Sequence, residues 1–343
     1  MDSRNRVYYL DYLRIAATFA VIVLHVAAQN WSTADVHSLA WNTFNIYDSA
    51  VRWAVPIFVM ISGSLFLNPE KVVTIQDIYS KYILRIITAF LAWSIFYAVV
   101  HNYSDFSIKS FLASIIVGSY HMWFLYMIVG LYIITPILRK ITASMNMTKY
   151  FVAVSVVFTF IIPFLLKLPI LNKAQSIYDN VYFHFTLGFS SYFVAGYYLS
   201  KIQIDRKIRV IIYISGMLGF LMTVGITAYL SIKSGEPVSD YYNNFSIGVM
   251  LESVAVFTYG KYRKCKDMTA KRCKLLTVLS KCSFGAYLVH IFIISVLSKI
   301  CGINTLSFNP IIAVPVISII TALLSFAISY VANKIPIINK YVV

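Results

Sequence analysis

Charged residues are scarce in this 343-residue chain: they make up 12% of it, about half the share found in soluble proteins. Acidic residues are especially few, since 13 Asp and Glu accompany 29 Lys and Arg and the formal net charge is +16. Together with an apolar content of 59%, this scarcity excludes a disordered chain and an ordinary soluble domain. The four cysteines form no CxxC pair and have no histidines at zinc-site spacing, so neither a disulfide framework nor a metal site is predicted.

Long apolar runs are what the sequence has in abundance, each closed by charged or Gly-, Pro- and Asn-rich segments. Ten runs are long enough to be membrane helices: residues 7–28, 51–68, 83–101, 119–138, 149–168, 183–200, 209–231, 243–260, 282–300 and 310–332. They predict an all-α, polytopic integral membrane bundle of about ten transmembrane helices. The first run is interpreted as a helix rather than a signal peptide because Asp11, Arg14 and His25 interrupt it.

Lysine and arginine are unevenly distributed between the connections. If the N-terminus is inside, one set of connections holds 22 of the 29 basic residues and the other set holds six, while Arg14 lies within a run. Cytoplasmic loops carry such an excess, so both termini are predicted to be cytoplasmic in a multi-pass plasma-membrane protein. The most basic segment, Lys261 to Lys281, is interpreted mainly as charge that sets this orientation, with a phosphate-binding role left open.

The first run contains Asp11, Arg14 and His25, and ionisable side chains inside a membrane usually face a bundle interior or an aqueous cavity. Arg14 and His25 are eleven residues apart, which places them on one helix face and about 16 Å apart along its axis. Histidine is well matched to accept a proton from a hydroxyl near neutral pH. From the residues alone, a structural role for His25 and snorkelling of Arg14 to the interface are equally good interpretations.

Four segments, in the expected order, resemble the membrane acyltransferase-3 family. They are YLDYLRIAATFAVIVLHV at 9–26, VPIFVMISGSLF at 55–66, HMWFLYMIVGLYIITPIL at 121–138 and SFGAYLVHIFII at 283–294. The resemblance implies a bacterial cell-envelope O-acetyltransferase that moves an acetyl group from cytoplasmic acetyl-CoA to a hydroxyl of a surface polysaccharide or its lipid-linked precursor. It also implies that His25 is the essential base and Arg14 its essential partner.

The start of the third run departs from the family pattern, which often has two arginines three residues apart. This sequence reads SKYILRII, with Tyr82 where the first arginine would stand and Lys81 beside it, while Arg85 is kept. Arg85 and Lys81 are predicted to bind the phosphates of the acyl donor. Ordinary charges flanking a membrane helix are the alternative interpretation.

Further polar residues are predicted to line the reaction chamber: Asp11, Ser62, His121, Trp123, Glu252, Tyr287 and His290. Each has a structural alternative. For Ser62, close helix packing next to Gly63 is favoured over a covalent acyl-serine. For His121 and Trp123 the alternative is anchoring at the membrane interface.

His290, one helical turn after Tyr287, is interpreted as a buried residue that links helices rather than as a catalytic one. Glu252 is a carboxylate inside an apolar run, and we expect it to pair with Arg14 or another cation or to face a cavity.

Residues 1–343 are expected to form a single membrane acyltransferase domain with no appended soluble domain. The expected partners are acetyl-CoA as a donor substrate, a glycan or lipid-linked sugar as acceptor, and membrane lipid; no permanently bound cofactor and no nucleic acid is expected. The main alternative is a polytopic exporter or flippase of glycan or lipid-linked oligosaccharide, because carriers also contain intramembrane charges. Consumption of acetyl-CoA distinguishes the two.

Overall fold

The computed structural model describes residues 7–101, 107–167, 178, 187–263 and 269–343, and the regular elements in these ranges are all helical. The helices are α1 Tyr8–Ala27, α2 Leu39–Ser49, α3 Ala54–Phe66, α4 Leu84–His101, α5 Ile108–Val117, α6 Trp123–Thr142, α7 Met145–Ser155, α8 Ile162–Leu166, α9 Gly188–Lys201, α10 Arg206–Ser234, α11 Ile247–Tyr262, α12 Ala270–Lys299, α13 Pro310–Ala332 and α14 Pro336–Tyr341. In the described residues, eight helical segments are long and apolar enough to cross a membrane. The prediction of an all-α polytopic membrane protein is therefore confirmed.

Each predicted apolar run contains helix in its described part, although helix begins only at Ala54 in the run 51–68 and at Ile247 in the run 243–260. Several predicted connections also contain helix: α2, the short helical segment at residues 75–83, α5 and the start of α12. Residues 39–49 form α2, whose first turn is capped by the Ser38 hydroxyl accepting from the Trp41 amide. Residues 270–281 form the first turns of α12, capped by Thr269, because Ala, Lys and Leu favour helix whether or not the segment is apolar. Residues 264–268 of the basic segment and residues 183–186 of the sixth predicted run lie outside the described residues.

Helix α1 occupies the centre of the bundle and packs against α3, α12 and α13. It is apolar around most of its circumference, as a helix enclosed by other helices must be. At the periphery, α10 instead exposes Ile211, Ile214, Leu218 and Leu221. In water such an apolar surface would be unfavourable, whereas lipid solvates it. The ionisable residues of α1, by contrast, lie in the interior of the bundle, away from lipid.

Helices α3 and α9 approach so closely that backbone contacts backbone. A Cβ atom on Gly63 would lie 1.7 Å from the Phe193 carbonyl oxygen, and one on Gly196 would lie 2.1 Å from the Met60 carbonyl oxygen. Small residues permit this contact, which replaces the missing hydrophobic driving force between helices in lipid. The interpretation of the Ser62–Gly63 segment as a packing site therefore holds for Gly63.

We expect Gly63→Ala to destabilise the bundle by more than about 1–3 kcal/mol, the usual cost of overpacking, because the clash is with backbone that cannot rotate away. Thermal unfolding and the monodisperse fraction in detergent measure the effect. Gly130→Ala is the matched control, since a Cβ at that position in α6 meets no atom within 4 Å. Equal stability of the two variants would contradict the close contact.

Candidate active site

Arg14 is held near the beginning of α1 by a chain of polar contacts to α12. Its Nη1 donates to the Ser280 hydroxyl at 2.9 Å and lies 3.5 Å from Asp11 Oδ1, while the Ser280 hydroxyl donates to the same carboxylate oxygen at 2.5 Å. Asp11 is buried, whereas the Arg14 side chain is 31% exposed. A buried carboxylate and a serine thus hold a partly exposed guanidinium in place.

Arg14 borders a cavity of about 540 Å³ between the helices. The lining residues come from α1, α3, α4 and the turn before it, α6, α12, the end of α13, and α14. They are Arg14, Phe58, Ile61, Ser62, Tyr82, Arg85, Ile86, Phe124, Leu125, Ile128, Tyr132, Ser280, Lys281, Ser283, Phe284, Tyr287, Asn333 and Asn339. The cationic residues Arg14, Arg85 and Lys281 share this lining with a wall of aromatic and aliphatic side chains. The cavity therefore suits a ligand with an anionic part and a thin, less polar part.

Of the two predicted donor-binding residues, the structure brings one into the cavity. Arg85 lines it and donates from Nη2 to the carbonyl oxygen of Val343 at 2.7 Å. Lys81 is exposed and is absent from the lining, where Tyr82 stands instead. A π-helical turn over Ile78–Ile83 precedes α4 and sets this register, so Tyr82 and Arg85 share a face and Lys81 does not.

Beyond the aromatic wall, three histidines from three segments form a cluster, defined here as His25, His121 and His290. The ring centroids of His25 and His290 are 5.1 Å apart, those of His121 and His290 are 5.2 Å apart, and those of His25 and His121 are 6.5 Å apart. His25 comes from the last turns of α1 and His290 from the middle of α12. The helix packing thus assembles three residues that are distant in the sequence.

His121 reaches the cluster through a tight turn. Gly118 ends α5 with a φ of +70°, a conformation that favours glycine, and the chain then forms a 3₁₀ turn over Tyr120–Met122. The His121 ring is 2% exposed, and its Nδ1 lies 3.1 Å from the Ser119 hydroxyl. His121 is therefore buried in the histidine cluster, although it does not belong to the lining of the cavity.

Tyr287 connects the cavity with the histidine cluster. Its ring lines the cavity and packs against Phe124, while its hydroxyl donates to the carbonyl oxygen of His121 and its own carbonyl oxygen is 2.5 Å from His290 Nδ1. Cavity and cluster are thus separated by no more than the Tyr287–Phe124 layer. His25 alone in the cluster is partly exposed, so it is the histidine that an incoming molecule can reach.

Other predicted chamber residues are distributed differently. Ser62 lines the cavity, next to the packing residue Gly63. Trp123 is 42% exposed and packs against Phe189, outside the lining. Glu252 is buried in α11, near Thr223 and in the electrostatic range of Arg52. Arg14 forms an ion pair with Asp11, and of the alternatives expected for Glu252 the structure places another cation, Arg52, within electrostatic range.

Sequence reasoning missed Ser280 and Lys281, because both lay in a segment predicted to be a loop. A helix beginning at Ala270 would have placed Ser280, Ser283, Tyr287 and His290 on one face, since their spacing of three, four and three residues follows the helical repeat. That face carries the polar lining of the cavity and one histidine of the cluster. Predicting Ser280 and Lys281 as site residues would therefore have required recognising that α12 begins at Ala270.

Comparisons with known proteins give one match. A family model described as an acyltransferase domain matches residues 7–330, nearly the whole chain. No curated protein and no solved structure matches the sequence. In the part of the chain that the structure describes, no three or more His, Cys, Asp and Glu side chains are grouped to hold a metal ion.

Proposed function

Because this chain belongs to the membrane acyltransferase-3 family, we propose that it is an O-acetyltransferase of the bacterial plasma membrane. Its donor is cytoplasmic acetyl-CoA, and its acceptor is a hydroxyl of a cell-surface polysaccharide or of a lipid-linked precursor. One observation carries the proposal: the same cavity is lined by Arg14 and by Tyr287. Tyr287 forms hydrogen bonds with His121 and His290, the two histidines that pack beside His25.

The shape and charge of the cavity support acetyl-CoA as the donor. Arg14, Arg85 and Lys281 supply cations for its phosphates, and guanidinium groups pair well with phosphate oxygens. Phe58, Phe124 and the other apolar residues of the lining suit the pantetheine arm. A volume of about 540 Å³ holds this arm with its thioester, while the bulkier nucleotide remains at the basic mouth.

His25 acts as the general base in this proposal. Its imidazole takes the proton of the acceptor hydroxyl, and the hydroxyl oxygen forms a bond to the acetyl carbonyl carbon. The bond from that carbon to sulfur then breaks, the thiolate of CoA leaves, and the proton passes from His25 to the thiolate. The products are an acetyl ester and free CoA, and His25 is again neutral.

The length of α1 divides the work between the two sides of the membrane. Arg14 lies in its second turn and His25 in its last, eleven residues and about 16 Å apart. The donor therefore enters from the side of Arg14, which the distribution of basic residues predicts to be cytoplasmic. The acceptor reaches His25 from the opposite side, where surface glycans are built.

Purified protein in lipid nanodiscs, supplied with acetyl-CoA and a panel of soluble and lipid-linked oligosaccharides, tests the proposed function. We expect release of free CoA that depends on an oligosaccharide, together with acetyl groups on that oligosaccharide. Transport of an oligosaccharide into vesicles without acetyl-CoA, and no CoA release with any acceptor, would contradict the proposal in favour of an exporter.

A further inference from the structure

The hydrogen bonding of His290 fixes where its proton lies. Its Nδ1 is 2.5 Å from the Tyr287 carbonyl oxygen, which can only accept, so Nδ1 carries the proton. In the neutral ring, Nε2 is then an acceptor with a free lone pair. The ring is completely buried, and Nε2 has no hydrogen-bond partner among the described residues. A buried acceptor without a donor costs about 1–3 kcal/mol, so its retention here calls for an explanation.

The His25 ring can supply the missing donor. Its centroid is 5.1 Å from that of His290, and the two rings are inclined by 39°. A neutral imidazole always carries one N–H, and His25 makes no hydrogen bond within the described residues. His121 is the other candidate donor, because its ring centroid is 5.2 Å from that of His290 and its Nε2 also has no hydrogen-bond partner among the described residues. His25 is preferred because it is the partly exposed histidine of the cluster, whereas His121 is buried beside the Ser119 hydroxyl.

We propose that His290 is the positioning residue of His25, with Nε2 of His290 accepting a hydrogen bond from a ring N–H of His25 as the acceptor sugar binds. This contact fixes which His25 nitrogen is protonated and leaves the other as the lone pair that takes the acceptor's proton. A base oriented by a third group recurs in enzymes that transfer acyl groups, where the third group is usually a carboxylate. The inference rests on the proposed function of His25 as the base.

The contact also strengthens during the reaction. When His25 takes the hydroxyl proton it becomes an imidazolium, and its hydrogen bond to the neutral His290 nitrogen becomes charge-assisted. Because His290 is buried and uncharged, its hydrogen bond stabilises the imidazolium form of His25 more than the neutral form. His290 therefore acts on the rate of transfer and leaves binding of the donor almost unchanged, because the cavity that holds the donor ends at Tyr287.

Two substitutions of His290 separate positioning from packing. His290→Phe keeps an aromatic ring but removes the acceptor, whereas His290→Gln keeps an acceptor at similar reach. We expect His290→Phe to lower kcat about 10²–10³-fold, as loss of base catalysis does, with KM for acetyl-CoA nearly unchanged. Gln should restore kcat at least in part. Equal kcat in the native chain and His290→Phe, or losses in Phe and Gln that simply follow their thermal stability, would overturn the inference.

A readout that needs no turnover completes the test. In protein labelled with ¹⁵N at its six histidines, the ring nitrogen shifts report the tautomer of His25, assigned by comparison with His25→Ala. We expect one neutral tautomer in the native chain with acceptor oligosaccharide present and a mixture in His290→Phe. The same tautomer population in both would overturn the inference even if CoA is released. Absence of CoA release with a tautomer change would instead count against the proposed function alone.

Discussion

Replacing His25 with alanine is expected to lower acyl transfer by at least about 10²–10⁴-fold, the usual contribution of a positioned general base. The reason is that His25 is partly exposed whereas His121 and His290 are buried, so no neighbour can take its place at the acceptor. Acceptor-dependent release of CoA by protein in nanodiscs measures the loss. Thermal unfolding of the variant checks that the fold survives.

His37→Ala is the matched control for this substitution, because His37 is exposed and belongs neither to the cavity nor to the cluster. We expect native activity from it. If His25→Ala retained most of its CoA release while His37→Ala behaved as the native chain does, His25 would not be the base.

Replacing Arg14 with alanine is expected to reduce kcat/KM for acetyl-CoA by about tenfold to a hundredfold, a loss of 1.4 to about 3 kcal/mol of binding to the donor phosphates. The loss should appear mainly in KM, because Arg14 lies about 16 Å from His25 along α1 and does not contact the reacting atoms. Steady-state kinetics with varied acetyl-CoA gives the two parameters separately. Arg14→Lys should retain part of the affinity, since it keeps the charge but loses the fork of donors.

A stability effect must be separated from this binding effect, because Arg14→Ala removes an ion pair of the buried Asp11 carboxylate. The double variant Asp11→Asn with Arg14→Ala also removes the charge of that carboxylate. We expect it to regain thermal stability but not affinity for acetyl-CoA. Recovery of both would show that Arg14 supports the fold and does not bind the donor.

Individual residues of the site could be predicted from the sequence, but the way they come together in the folded chain could not. The spacing of Arg14 and His25 placed both on one face of the first helix, and the structure keeps both in the single helix α1. Charge inside the first apolar run also pointed to Asp11, while His121 was singled out at the start of the fourth run and His290 in the middle of the ninth. The convergence of His121 and His290 on His25 depends on how α1, α6 and α12 pack, and periodicity within one helix carries no information about that.

Errors arose where local pattern and tertiary context diverge. Lys81 was chosen as a donor contact for its charge, and the structure places Tyr82 and Arg85, but not Lys81, in the lining of the cavity, so its role stays a prediction. Glu252 was expected to pair with Arg14 or another cation or to face a cavity, and Arg52 is the cation within its electrostatic range. Basic residues in the first turns of α12 looked like a loop, because helix propensity there is not accompanied by apolar character.

Calorimetric binding of acetyl-CoA to the native chain, His25→Ala and Arg14→Ala in the same nanodiscs, with CoA release measured in parallel, tests most directly whether donor binding and base catalysis are divided between the two ends of α1. We expect His25→Ala to bind acetyl-CoA as the native chain does but to release almost no CoA, whereas Arg14→Ala binds it weakly. Loss of binding in His25→Ala equal to that in Arg14→Ala would contradict the division of donor binding and base catalysis between the two ends of α1.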